Sequence, residues 1–170
     1  ACYLELIGVA QTSAGFYQAA LSFNKRDCLS VLKKFGFKCA NSIYINEGDT
    51  IDTTEIIKTV GLPCFVKPNR AGSSFGISRV QTAEMLPKAI LEAYKEDTEV
   101  IIESELLGTE VSVGAFKDKG QIQVLNPTEI VSENDFFDYE AKYLGKSQEI
   151  TPARISDKDK KTVQQVTRQI

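Results

Sequence analysis

The part of this chain best equipped for chemistry is Lys67 together with the small-residue loop just after it, Gly72-Ser73-Ser74-Phe75-Gly76. A short apolar strand, Cys64-Phe65-Val66, delivers the lysine, and a second strand is expected to begin at Ile77. Glycine lacks the side-chain barrier to positive φ, so such a loop can turn several backbone N–H groups toward one anion. The lysine adds the fixed positive charge that a polyphosphate requires. Strand alternation puts Phe65 and Lys67 on one face. A lysine beside a buried aromatic loses hydration unless an anion or a carboxylate meets it. The spacing is not that of a P-loop, in which the lysine follows the glycines and the chain enters a helix. Here the lysine comes first, and Ile77, Arg79 and Val80 continue as a strand. No G-x-G-x-x-G is present either. What remains is a glycine–serine hairpin able to fold over phosphates; taken alone, the loop leaves an ordinary solvent-exposed hairpin open as the alternative.

The whole sequence narrows the field. Its 170 residues suffice for one ordinary domain or two small subdomains. The chain is 42% hydrophobic and 25% charged, which are globular values, and no stretch approaches the roughly 20 apolar residues of a membrane span. A net charge of −3 argues against a nucleic-acid partner. With no histidine, every Ser-His-Asp or Cys-His arrangement is excluded. Cys2, Cys28, Cys39 and Cys64 form no C-x-x-C pair, so zinc-finger spacing is absent and reduced cytoplasmic thiols are expected. The start lacks a basic n-region and is not methionine, which suggests an excised segment.

The elements that must position the lysine follow from periodicity and caps. Asn24 caps a helix over 24–35 with Cys28, Leu29, Leu32 and Phe35 on one face and Gly36 as its stop. Lys38–Ile45 reads as a strand, Asn46–Asp49 as a turn, and Thr54–Val60 as a helix opened by Asp52 or Thr53 and closed by Gly61. Thr82 opens a helix toward Glu96 whose start Pro87 makes irregular, and Glu99–Glu103 is a strand. In the second half, alternation from Val111 to Phe116, a turn at Lys117–Gly120 and Gln121–Leu125 predict a hairpin, with Thr128–Val131 as a further strand. Residues 132–152 lack periodicity but carry Phe136, Phe137, Tyr139 and Tyr143, which points to a functional loop rather than to disorder. Ser156 and Asp159 open a last helix with Val163, Val166 and Ile170 on one face. The composition changes near residue 108, with Glu103–Glu110 as a hinge.

Several short runs, at these separations, resemble the ATP-binding part of the D-alanine–D-alanine ligase family within the ATP-grasp superfamily. They are Leu4–Gly8, Asn24-Lys25, Phe65-Val66-Lys67-Pro68, Arg70–Gly76, Ile102-Glu103, Gly108-Thr109-Glu110 and Asp138-Tyr139-Glu140-Ala141-Lys142-Tyr143. The resemblance covers nearly the whole chain. It implies an α+β, ATP-grasp fold with two α+β subdomains sandwiching the nucleotide and a truncated C-terminal subdomain. Residues 1–20 would be the tail of an N-terminal substrate domain and 21–108 the subdomain with the lysine and flap. Residues 109–170 would start the second subdomain, with a mobile active-site loop at 132–152.

Function follows from the same resemblance. Lys25 and Lys67 would contact phosphates, the amides around Ser73 and Ser74 would close over them, Glu103 and the backbone near Leu106 would read adenine, and Glu110 would hold the ribose. Lys142 would reach the γ-phosphate, and Tyr143 would bond Ser73 and couple the cover loop to the flap. The expected reaction joins two D-alanines through a D-alanyl phosphate, with ATP and Mg2+, for peptidoglycan precursors in the cytoplasm. Magnesium ligands and first-substrate contacts are expected outside this segment (the former beyond residue 170), so none of its residues is assigned to metal and the isolated segment is expected not to turn over. A homodimer is compatible with the resemblance. Three alternatives stay open: a D-alanine–D-lactate enzyme or other ATP-grasp ligase, a non-catalytic nucleotide-binding module, and, for Glu103 and Glu110, simple solvated strand positions.

Overall fold

The computed structural model describes residues 2–132 and 147–170. The chain divides into two compact units, 1–106 and 107–170, each with its own sheet.

The first unit is built around a four-stranded antiparallel sheet of β1 (Ser42–Asn46), β2 (Cys64–Pro68), β3 (Ser78–Val80) and β4 (Glu99–Ser104), in the spatial order β1-β4-β2-β3. Register is set by hydrophobic alternation. Cys64, Val66, Val80, Val100, Ile102 and Ile45 all fall on one face and are buried there. Helices α4 (Thr53–Val60) and α5 (Leu86–Ala93) close that face with Ile56, Val60, Leu86, Ala89, Ile90 and Ala93. Burying an aliphatic side chain of this size contributes about 1.5–3 kcal/mol, so this layer is the unit's main source of stability. The central strand β4 is apolar on both sides at its middle, because Ile101 is also fully buried on the opposite face.

Caps behave as their chemistry requires. The Asn24 side chain accepts from Asp27 N–H at the start of α3 (Lys25–Lys34), and the Asp52 side chain accepts from Thr54 and Glu55 N–H at the start of α4. Gly61 ends α4 at φ 75°. Two expectations need correction. Phe35 is the C-cap of α3 and 78% exposed, whereas Cys28, Leu29 and Leu32 are half-buried. The strand expected from Lys38 begins at Ser42. The irregular start expected of the helix after Thr82 is present as a 3-10 turn, Ala83–Met85, before α5, since a proline in the first turn offers no N–H to an α-helical bond. Helices α1 (Cys2–Leu6) and α2 (Phe16–Phe23) have no counterpart in the sequence reading, because neither carries a cap–stripe–stop pattern.

Between β2 and β3 runs the glycine–serine loop. Ser73 (φ 50°), Ser74 (φ 61°) and Gly76 (φ 67°) are left-handed, and Phe75 N–H donates to Gly72 C=O at 3.1 Å. Gly76 has a steric as well as a conformational need: a Cβ there would lie 2.8 Å from Pro68 Cγ and 2.9 Å from Glu96 Cγ.

In the second unit β5 (Val111–Ser112), β8 (Thr128–Ser132) and β9 (Ser147–Ile150) form one antiparallel sheet, and β6 (Ala115–Asp118) pairs with β7 (Gln121–Val124) as a hairpin. The expected single strand from Val111 breaks at Val113-Gly114, where a Cβ on Gly114 would press on Leu125 at 3.1 Å. The hairpin turn is Lys119-Gly120, both at positive φ as a two-residue type I′ turn demands. The irregular stretch expected to 152 ends earlier, since β9 pairs with β8 from Ser147. Helix α6 (Asp157–Gln169) is capped by Ser156, which accepts from Asp159 N–H. Its expected apolar face is only lightly covered, with Val166 37% and Ile170 70% exposed. What fixes the β8–β9 end is polar: Arg154 grips the Glu129 carboxylate through Nε (2.9 Å), Nη2 (2.8 Å) and its own backbone N–H (3.0 Å).

Two outcomes follow. Gly76→Ala should destabilise the first unit by at least about 1–2 kcal/mol, the cost of a left-handed L-residue before the clash is added, read as a lower urea midpoint. The Arg154 hydrogen bonds lower the Glu129 carboxyl from 4.5 to about 2. A carboxyl depressed on folding stabilises fully above its unfolded value and loses that contribution as pH falls through its folded one. Glu129→Gln should therefore be less stable than the parent at neutral pH, with the gap closing between pH 4.5 and about 2 in urea unfolding.

Candidate functional site

The face of the first sheet opposite α4 and α5 carries Ser42 and Tyr44 from β1, Ile101 and Glu103 from β4, Phe65 and Lys67 from β2, and Arg79 from β3. Strand alternation accounts for this set, with Phe65 between Cys64 and Val66 and Ile101 between Val100 and Ile102 as the clearest cases. Lys67 Nζ stands 5.5 Å from the centre of the Phe65 ring and donates to Glu103 Oε2 at 2.7 Å. The carboxylate that a half-buried lysine needs is thus Glu103, placed by the register Phe65↔Glu103 one step along from Lys67↔Ile101. The lysine side chain is 26% exposed and the glutamate 10%, so the pair is shielded yet reachable from solvent. Arg79 Nε donates to Glu105 Oε1 at 2.7 Å on the same side.

Lys25, the first residue of α3, sits at the root of the glycine–serine loop. Its ammonium donates to Asn69 C=O (3.2 Å) and Ala71 C=O (3.0 Å), and its backbone N–H also reaches Asn69 C=O. Asn69, which the sequence reading did not single out, is the hub here and is 1% exposed. Its Oδ1 accepts from Arg26 N–H (2.8 Å), and its Nδ2 donates to Asn24 Oδ1 (2.9 Å) and Glu99 Oε2 (2.8 Å). Next to it, Arg70 holds Asp97 with Nε and Nη2, and its backbone N–H donates to the same carboxylate. These hydrogen bonds hold the Asp97 carboxyl below the usual carboxylate range. The only sequence signal for Asn69 was a polar residue directly after a strand and a proline, which is common at strand ends and does not reveal burial.

The structure thus brings Lys67 together with Glu103 directly, and Lys25 together with the segment entering the Ser73–Ser74 loop. Leu106 lies just past β4 with its side chain 73% exposed. Glu110 belongs to the second unit; its backbone C=O accepts from Ile130 N–H and its side chain is exposed. Lys142 and Tyr143 lie outside the described residues. Among the described residues no group of three or more carboxylate, thiol or imidazole side chains could hold a metal ion, and no helix is long and apolar enough to cross a membrane. All four cysteines are free thiols.

The chain as a whole is similar to a known group of proteins. The sequence model described as D-ala D-ala ligase C-terminus matches residues 31–170. A D-alanine–D-alanine ligase of Flavobacterium johnsoniae is 70% identical over 155 residues, 91% of this chain and 48% of the relative. One from Christiangramia forsetii is 58% identical over 164 residues, 96% of this chain and 50% of the relative. Among solved structures, the VanG D-Ala:D-Ser ligase from Enterococcus faecalis superposes with a TM-score of 0.82 at 32% identity, covering 96% of this chain and 48% of that one. The chain spans about half the length of the curated relatives it matches. It belongs to the D-alanine–D-alanine ligase family and has the α+β ATP-grasp fold.

Proposed function

We propose that this chain is the nucleotide-gripping part of an ATP-dependent ligase that joins two D-alanines for peptidoglycan precursors in the cytoplasm. The observation that carries the reading is Lys67, held by Glu103 beside the Phe65 ring at the mouth of a loop whose residues Ser73, Ser74 and Gly76 are all left-handed. Family membership and the names of the relatives support it.

In this reading residues 1–20 are the tail of a substrate domain, 21–108 supply the phosphate grip, and 109–170 begin the second subdomain. Lys67 and Lys25 neutralise phosphate charge, and the amides around Ser73 and Ser74 close over the terminal phosphates. Glu103 and the Leu106 backbone read adenine, and Glu110 binds the ribose hydroxyls. The γ-phosphoryl group passes to the carboxylate of one D-alanine. The amine of the second then attacks the acyl carbon, the C–O bond to phosphate breaks and phosphate leaves. Such a transfer needs positioning and charge neutralisation more than covalent help from the protein, which suits lysines and a pliable amide loop. Closure of the 132–152 segment, with Lys142 on the γ-phosphate and Tyr143 on Ser73, would keep water from the acyl phosphate. Magnesium, when bound, would supply further positive charge against the phosphates; among the described residues no group of three or more carboxylate, thiol or imidazole side chains could hold it.

Two outcomes test the proposal. The whole protein should form D-alanyl-D-alanine and phosphate only with ATP, and Lys67→Ala should lower kcat/KM at least about a hundredfold; a parent making no dipeptide would refute it. The likeness to a D-Ala:D-Ser ligase makes the acceptor a separate question. Tyr143→Phe should move product toward D-alanyl-D-lactate when D-alanine and D-lactate compete, as chromatography of the products would show.

A further inference from the structure

The Arg79–Glu105 pair has no part in the mechanism above, yet it occupies a particular place. Arg79 is the middle residue of β3, the strand into which the glycine–serine loop delivers the chain, and it stands opposite Phe65. Glu105 is the first residue after β4. Its N–H reaches Pro63 C=O at 3.4 Å, the last backbone bond tying this segment to the sheet. Beyond it, among the described residues, Leu106 and Leu107 make no backbone–backbone hydrogen bond, and their side chains are 73% and 91% exposed. The Nε–Oε1 bond of 2.7 Å, with side chains only 22% and 17% exposed, is therefore the nearest firm anchor to Leu106. Charge-assisted bonds of this length are directional and stiffer than a long backbone contact.

We propose that Arg79 and Glu105 form a positioning clamp that sets the Leu106 backbone for recognition of the purine edge, resting on the nucleotide-site reading above. Neither side chain needs to touch the base. A backbone N–H and C=O presented in fixed register distinguish adenine, with its amino donor and ring-nitrogen acceptor, from hypoxanthine, in which both are reversed. A site built to pair such groups rejects the analogue because its own polar groups are then left unpaired. Because β3 also forms the outgoing limb of the loop, the same clamp ties the loop's footing to the base-reading segment.

The test is calorimetric binding of ADP and IDP to the full-length protein, which needs no turnover. Glu105→Gln should weaken ADP on the order of tenfold, the equivalent of one charged hydrogen bond, and weaken IDP much less, so that the ADP/IDP preference falls. The reversed pair Arg79→Glu with Glu105→Arg should restore most of the preference. Should Glu105→Gln lower the melting temperature, Arg79→Lys supplies the same readout, with a smaller loss in the same direction. Equal weakening of both nucleotides, no weakening of either, or no recovery in the reversed pair would overturn the clamp. A parent that binds ADP but joins no D-alanine sinks the ligase reading and leaves the clamp standing; one that binds neither nucleotide overturns both.

Discussion

The bond between Lys67 and Glu103 depends on the pairing register of β2 and β4, and much else depends on that register too. A slip of one residue between these strands would carry every side chain to the other face. Lys67 would then enter the layer closed by α4 and α5, and Val66 would take its place in solvent. The apolar alternation Cys64, Val66, Pro68 against Val100 and Ile102 forbids this. The core layer and the charged face are therefore set by one constraint. The hydrophobic residues hold the register, and the register delivers a lysine and a carboxylate to within 2.7 Å of each other.

The loop's footing is firmly built. Asn69 engages its backbone N–H, its C=O and both ends of its amide, joining α3, β4 and the loop entry at one buried point. Arg70 and Asp97 add a bidentate brace beside it. Lys25 is part of this footing, since its ammonium holds the carbonyls of Asn69 and Ala71. If it also serves a phosphate, it does so from a position the protein has already fixed. That saves the rotamer entropy a free lysine would lose on binding.

How much was legible in the sequence varied with the physics involved. Strand alternation around Lys67, the caps at Asn24, Asp52 and Ser156, and the stop at Gly61 are local signals, and each is found in the structure. The counter-ion of Lys67 was legible only as a need. Glu103 lies 36 residues away, and its approach depends on long-range pairing that no local pattern encodes. Asn69 was not legible at all, because an asparagine after a strand reads as a turn unless one knows that α3 and Glu99 converge on it. Phe35 misled for the opposite reason. Its spacing fits the helical stripe, but the helix ends at Lys34, so the side chain points off the end of the stripe. The break at Gly114 and the strand from Ser147 depend on contacts with Leu125 and with β8, again invisible to periodicity.

The two units differ in what stabilises them, and the difference bears on pH. Among the described residues, the buried aliphatic side chains that make a core all lie in the first unit. In the second, the buried carboxylate of Glu129 and its three hydrogen bonds from Arg154 link β8 to the segment after β9. Hydrophobic burial is indifferent to pH, whereas a depressed carboxyl is not. Acid should loosen the second unit before the first, because only there does the firmest tie depend on an ionised group. Local opening follows the weakest cooperative element, and elements that must move during catalysis are drawn from that end of the range. The first unit rests on a buried apolar layer and the second on an ion pair, and that difference alone is enough to separate their responses to acid.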